Sequence, residues 1–157
     1  MVKAVVARDF MVSRLVTLSP EMDVFQAVRL LLKHRISGAP VVDREGRYLG
    51  VFSEKCSMHV LLDAAYDSLP TTSVGAFMDT NAQTIGLDTD LLAIAQVFLL
   101  TSARRLPVVD EQGLLRGQIS RRDVLDAAFH QLDPQPIRES SFLYLSAVTE
   151  RSSAPVN

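Results

Sequence analysis

The sequence predicts an α/β (α+β) fold, built as two pseudo-symmetric β-α-β-β-α units packed on each other through their sheets. Three observations predict it. First, Gly38-Ala39-Pro40-Val41-Val42-Asp43, followed by Gly46, Gly50 and Ser53, returns as Arg105-Leu106-Pro107-Val108-Val109-Asp110, followed by Gly113, Gly117 and Ser120. The shift is 67 residues and needs no gap: Phe10-Met11 returns as Phe77-Met78, Thr17 as Thr84 and Asp23 as Asp90. A repeat held in one register means two copies of one supersecondary unit. Second, each copy passes from short apolar runs to a helical period and back. Third, the chain has 157 residues, 48% of them hydrophobic. One copy of roughly 60 ordered residues would be marginal alone, so the copies are expected to share a core and leave clefts between them.

Leu15 to Leu18 reads as the first strand, stopped by Ser19-Pro20. Asp23 caps a helix, with Gln26 three residues on in a capping-box arrangement. Val24, Ala27, Val28, Leu31 and Leu32 form its apolar face, with Arg29 and Lys33 off it. Pro40 to Asp43 is a short buried strand. Arg44-Glu45-Gly46 turns the chain, and Tyr48 to Phe52 returns as the second arm of a hairpin. Ser53 opens a helix towards Tyr66. The second copy repeats the plan. Asp90 caps a helix whose stripe is Leu91, Ile94, Ala95, Phe98 and Leu99; Pro107 to Asp110 and Leu115 to Ile119 are the hairpin; Ser120 starts the last helix, through His130. The repeats are assigned to 5–66 and 74–131, the linker to 67–73 and a tail to 132–157. Phe142-Leu143-Tyr144-Leu145 is too apolar for a free tail and is expected to dock on this chain or a partner.

Composition narrows the function. A net charge of −2 and a pI near 5.9 argue against a nucleic-acid or anionic-membrane binder. The apolar stretches fall short of a membrane span and the N-terminus has no signal-peptide core. The single cysteine, Cys56, excludes an intrachain disulfide and fits a reducing, cytoplasmic location. Cys56 and His59 lie one helical turn apart, but two candidate ligands without a second pair do not make a metal site. No Ser–His–Asp set, P-loop or metal cluster is present, so no catalytic residue is assigned and the chain reads as a non-enzyme.

With both hairpins, both Phe-Met turns and both helix-opening serines in place, the chain resembles a tandem pair of CBS domains, a Bateman module, over roughly residues 5 to 131. The resemblance implies a regulatory module that senses an adenosine-containing ligand between its repeats, needs no cofactor for chemistry, and assembles as a homodimer. It also carries a ribose signature, Gly-x-x-Ser/Thr-x-x-Asp. Gly117-Gln118-Ile119-Ser120-Arg121-Arg122-Asp123 matches it, whereas Gly50-Val51-Phe52-Ser53-Glu54-Lys55-Cys56 ends in a thiol. A carboxylate accepts hydrogen bonds from two vicinal hydroxyls; a thiol is a weak donor and a weaker acceptor. One competent cleft is therefore expected, at Ser120 and Asp123, and a degenerate one near Ser53 and Cys56.

From the opposite repeat, the resemblance places the turn around Ser13 and Leu15, and the Ser37-Gly38-Ala39-Pro40 segment, in the Asp123 cleft. The backbone of Ser37 and Ala39 would read the adenine edge, with Gly38 and Ala39 allowing close approach. Arg104, Arg105, Arg121 and Arg122 are expected to crowd the same region. Guanidinium groups match phosphate oxygens, which favours AMP, ADP or ATP over adenosine, with S-adenosylmethionine a lesser candidate that uses the arginines less. Two other readings stand beside this one. Ser120 and Asp123 also fit a capping box that merely starts a helix, and the chain also fits an oligomerising scaffold with degenerate clefts. With no effector domain in this sequence, a sensor would act in trans on a separate effector protein.

Overall fold

A computed structural model of the chain describes residues 4–66 and 72–132. Most of the linker and the tail, including Phe142 to Leu145, lies outside the described residues. The first copy contains α1 (Ala7–Phe10), α2 (Val24–His34), β1 (Gly38–Val42), β2 (Tyr48–Ser53) and α3 (Glu54–Tyr66). The second contains α4 (Val74–Phe77), β3 (Ile85–Gly86), α5 (Leu91–Leu100), β4 (Arg105–Val109), β5 (Leu115–Ser120) and α6 (Arg121–Leu132). The mixed helix and strand architecture is the expected one, with β1 and β2 antiparallel in one small sheet and β3-β4-β5 in the other.

Three details differ from expectation. The first strand of copy one shrinks to a single parallel bridge, Leu18 to Val41, whereas copy two keeps β3 against β4 in the equivalent register, Ile85 to Val108. Pro20 explains this. It stands where copy two has Leu87, and proline lacks the N–H that the next ladder bond requires. Short helices, α1 and α4, lie where the sequence showed only a Phe-Met turn. Leu32 and Leu99, counted into the apolar stripes, are 73% and 86% exposed. At 100° per residue, a position eight residues on has turned about 80° away from the first, to the edge of the stripe.

Local chemistry sets the remaining elements. Asp23 accepts hydrogen bonds from the backbone N–H groups of Phe25 (3.1 Å) and Gln26 (3.4 Å), and Asp90 from that of Ala93 (2.9 Å), starting α2 and α5. In the hairpin turns, Asp43 Oδ1 accepts from Glu45 and Arg47, and Asp110 Oδ1 from Gln112 and Leu114. The Leu114 N–H, more than neighbouring Arg116, holds the Asp110 carboxyl below the usual carboxylate range. Gly46 and Gly113 close the turns at φ of 87° and 83°, where a side chain would be strained.

The leading segments are exchanged between the copies. Ala7 of α1 is fully buried in the core of copy two, among Ile85, Ile94, Leu106 and Ile119. Val74, Phe77 and Met78 pack on the core of copy one, with Leu18, Val41 and Phe52. The isolated bridges obey the same symmetry. Val6 to Asp90 corresponds to Asp23 to Ser73, and Val12 to Gln118 corresponds to Val51 to Asp79. Arg47 to Leu114 maps onto itself. An approximate two-fold axis therefore passes beside the hairpin turns and relates the two copies.

Tyr48 lies at that axis, its N–H bonded to the Gly113 carbonyl at 2.9 Å. Its hydroxyl is buried and has no partner among the described residues. Burial, with a smaller push from the Asp79 charge, raises its pKa to about 12. Burial penalises the phenolate, so this group leaves stability at its full value below pH 10, the unfolded pKa, and lowers it as pH rises from 10 to 12. The full difference corresponds to roughly 2.7 kcal/mol, which partial exposure of the ring reduces to about 1 kcal/mol. Tyr48→Phe is expected to be neutral or slightly stabilising at pH 7, because it removes an unsatisfied hydroxyl. It should also flatten the alkaline limb of a melting-temperature profile between pH 9 and 12; an unchanged limb would contradict the assignment.

Candidate functional site

The exchange of leaders creates two clefts related by the 67-residue shift. On one side, Val12 pairs with Gln118 and sets the exposed Ser13 beside β5. Here Ser120 Oγ accepts the Asp123 N–H at 3.2 Å, while Asp123 Oδ2 accepts the Ser120 N–H at 2.8 Å. This is a reciprocal capping box, so the helix-start role is real. It leaves Asp123 Oδ1 without a hydrogen-bond partner among the described residues. The box orients the carboxylate and occupies only one of its oxygens.

On the other side, Val51 pairs with Asp79. Ser53 Oγ accepts the Cys56 N–H at 3.2 Å and donates to Cys56 Sγ at 3.3 Å, while the thiol turns back to the Val51 carbonyl at 3.7 Å. Cys56, in the first turn of α3, is buried and closes back on β2. The carboxylate half of the box is missing.

A cavity of about 610 Å³ opens between the copies on this Ser53 side. Its size suits a nucleotide-sized ligand. Ser37, Gly38, Ala39 and Pro40 line it from the start of β1, and Arg104, Arg105 and Pro107 from the equivalent start of β4. Ser53, Glu54 and Lys55 contribute from the β2–α3 junction, Asp79, Asn81 and Gln83 from the second leader, and Thr101 and Ser102 from the α5–β4 loop. Lys55, Arg104 and Arg105 make no ion pair among the described residues. No cluster of three or more metal-ligating side chains occurs among the described residues.

The structure thus divides the residues singled out from the sequence. Ser37, Gly38, Ala39, Pro40, Arg104 and Arg105 line this cavity. Ser13, Leu15, Ser120, Arg121, Arg122 and Asp123 do not line it, and Arg105, in register with Ser120 across β4 and β5, borders both groups. Ile119 is fully buried in the core of copy two, leaving only its backbone for any contact. Arg121 is exposed and reaches the Ala103 carbonyl with Nη2 at 3.4 Å. Glu54, Lys55, Asp79, Asn81 and Gln83 escaped sequence reasoning. The repeat itself carried the signal for the last three, because moving Val12 to Val16 by 67 residues gives Asp79 to Gln83.

Two exchanged α+β repeats with a ligand-sized cavity between them define a tandem-repeat binding module. The CBS domain family matches residues 7–55 and 74–130, and the chain belongs to it. It is 32% identical over 113 residues to the inosine-5'-monophosphate dehydrogenase of Chlorobaculum parvum, covering 69% of this chain and 22% of the enzyme. The chain thus spans about a fifth of the length of such relatives. Among solved structures, it is similar to CBSX2, a CBS-pair protein from Arabidopsis thaliana, in complex with AMP: 30% identity, TM-score 0.68, 80% of this chain and 96% of that one. It is also similar to the cytosolic domain of the Mg²⁺ channel MgtE in complex with ATP: 29% identity, TM-score 0.62, 75% of this chain and 46% of that one. Among the described residues, no helix is long and apolar enough to cross a membrane.

Proposed function

We propose that the chain is a regulatory module, not an enzyme, that binds an AMP, ADP or ATP-type ligand between its CBS repeats and signals to a separate cytoplasmic effector protein. The observation that carries this reading is the cavity walled by both copies at once. A ligand held there touches β1, the second leader and the α5–β4 loop together, so it favours one arrangement of the pair by its differential affinity for it. The AMP and ATP complexes of the two relatives support an adenosine ligand. In the opposite cleft, Asp123 Oδ1 and Ser120 are assigned to the ribose, Arg121 and Arg122 to phosphate, and the Ser13–Leu15 turn to the far wall.

Homodimer formation is part of the reading. Phe25 and Leu92, Leu32 and Leu99, and Met58 and Leu125 are exposed in pairs related by the 67-residue shift. Apolar exposure repeated by symmetry on both copies suits an isologous contact with a second chain. Sedimentation of the purified protein should give a dimer.

The test is a thermal shift with AMP, ADP and ATP on the wild-type protein and on Asp123→Ala. At about 100 times its dissociation constant, a ligand adds roughly 2.7 kcal/mol, which in a domain of this size raises the midpoint by roughly 8 °C. Asp123→Ala should lower the ligand-free midpoint by about 3 °C through loss of the cap and remove the part of the shift owed to its cleft. No shift with any nucleotide would leave the scaffold reading in its place.

A further inference from the structure

The two clefts differ in charge in a way the repeat makes legible. On the Ser53 side, the cavity wall carries Lys55, Arg104 and Arg105 against the carboxylates of Glu54 and Asp79. Moving that wall by 67 residues gives the corresponding positions of the Asp123 side. Glu54 corresponds to Arg121 and Lys55 to Arg122; Asp79 corresponds to Val12, Asn81 to Arg14 and Ser102 to Arg35. Ser37 and Gly38 of the same wall give Arg104 and Arg105, so these two arginines border both clefts, with Arg105 in register with Ser120 across β4 and β5. The bridges Val51 to Asp79 and Val12 to Gln118 place the two leaders equivalently, so the correspondence holds in space. Arg14, Arg35, Arg121 and Arg122 are all exposed. Among the described residues, the one hydrogen bond from these guanidinium groups is that of Arg121 to the neutral Ala103 carbonyl. Beside the two shared arginines, the Asp123 side therefore sets four arginines against one carboxylate, and the cavity sets one lysine against two carboxylates.

We infer that the clefts are unequal sensors: the Ser53-side cavity takes an adenosine-type ligand of little net charge, and the Asp123 side takes the polyphosphate nucleotide. This rests on the proposed function and refines it. A triphosphate in the cavity meets two carboxylates that offset most of the pull of Lys55, Arg104 and Arg105, whereas an uncharged nucleoside is little affected by that balance. On the opposite side, exposed guanidinium groups gain from every phosphate oxygen they reach. A surplus of four net positive charges at a solvent-accessible site, each screened, is expected to favour ATP over adenosine by about tenfold relative to the cavity.

The experiment is titration calorimetry of the full chain with adenosine and with ATP, on the wild type and on Glu54→Gln and Arg122→Gln. Two binding steps are expected, one with an ATP-to-adenosine affinity ratio about tenfold above the other. Glu54→Gln should raise that ratio by about threefold in the lower-ratio step only, and Arg122→Gln should lower it in the other step only. Both variants alter exposed side chains and keep the fold, which circular dichroism checks. Two steps with one common ratio, or variants that move both steps alike, would overturn the division while leaving a nucleotide sensor. Failure of both ligands to bind the wild type would remove the sensor reading and this inference together.

Discussion

Phe52→Ala is expected to lower the stability of the chain by about 4 kcal/mol, and Ile119→Ala by about 3 kcal/mol, each within a single cooperative unfolding transition. Phe52 and Ile119 occupy the same position of the repeat, on β2 and β5, and both are fully buried. Each truncation removes buried apolar surface and leaves a cavity that close-packed neighbours fill only in part. The single transition follows from the exchange of leaders. Copy one relies on Val74, Phe77 and Met78 for its core, and copy two on Ala7, Phe10 and Met11. Neither half keeps its core when the other opens, so the two repeats share one folding equilibrium. Differential scanning calorimetry checks this directly. The midpoint should fall by roughly 12 °C for Phe52→Ala, with calorimetric and van't Hoff enthalpies still in agreement. A second, unshifted transition would mean that the copies unfold independently and that the exchanged contacts are weak.

That coupling matters for sensing. A ligand wedged between halves that melt separately would stabilise only what it touches. Between halves locked by exchanged segments, it acts on the whole module, including the helix faces that carry Leu32, Leu99, Met58 and Leu125. On the proposed sensor reading, the route from cleft to effector needs no dedicated pathway, because a ligand that favours one arrangement of a single packed unit biases all of it at once.

The fold was legible because its signals are local and doubled. Asp23 and Asp90 announce helix starts, Asp43-x-x-Gly46 and Asp110-x-x-Gly113 announce turns, and each copy vouches for the other. The family followed from the same residues. What stayed hidden depends on long-range packing. The Phe-Met turns turned out to close short helices whose burial lies in the opposite copy, and a linear pattern does not show where a segment is inserted. The loss of the first strand in copy one hinges on one missing N–H at Pro20, visible only once its ladder neighbour is known. The site was half legible. Pro40 and Arg105 can be named as cleft residues from the sequence, and the sheet sets Arg105 in register with Ser120, but Asp79, Asn81 and Gln83 reach the cavity only through the exchange of leaders.

Gly50→Ala is expected to cost about 3 kcal/mol, and Gly117→Ala only about 1 kcal/mol, although the two glycines are equivalent in the repeat. Each lies where the leader of the other copy crosses the sheet. A methyl group on Gly50 would sit 2.6 Å from the Asp79 carbonyl oxygen and 3.2 Å from its carbon. That peptide is pinned by two hydrogen bonds, Val51 N–H to Asp79 O at 3.0 Å and Asp79 N–H to Val51 O at 2.8 Å. It can yield only by breaking them. A methyl group on Gly117 meets first the Met11 side chain, with Sδ at 2.6 Å and Cγ at 2.8 Å, and the Val12 carbonyl oxygen at 3.0 Å, farther than its Asp79 counterpart; a flexible thioether swings aside more cheaply than a peptide. Urea denaturation should show both midpoints lowered at an unchanged slope, with Gly50→Ala clearly the worse. Equal costs would mean that the crossing at Asp79 is as compliant as the one at Met11. The unequal cost also bears on the site, because the displaced peptide begins the segment that carries Asp79, Asn81 and Gln83 into the cavity. Gly50→Ala should therefore weaken binding in the cavity, while Gly117→Ala, acting through a side chain, should leave that wall in place.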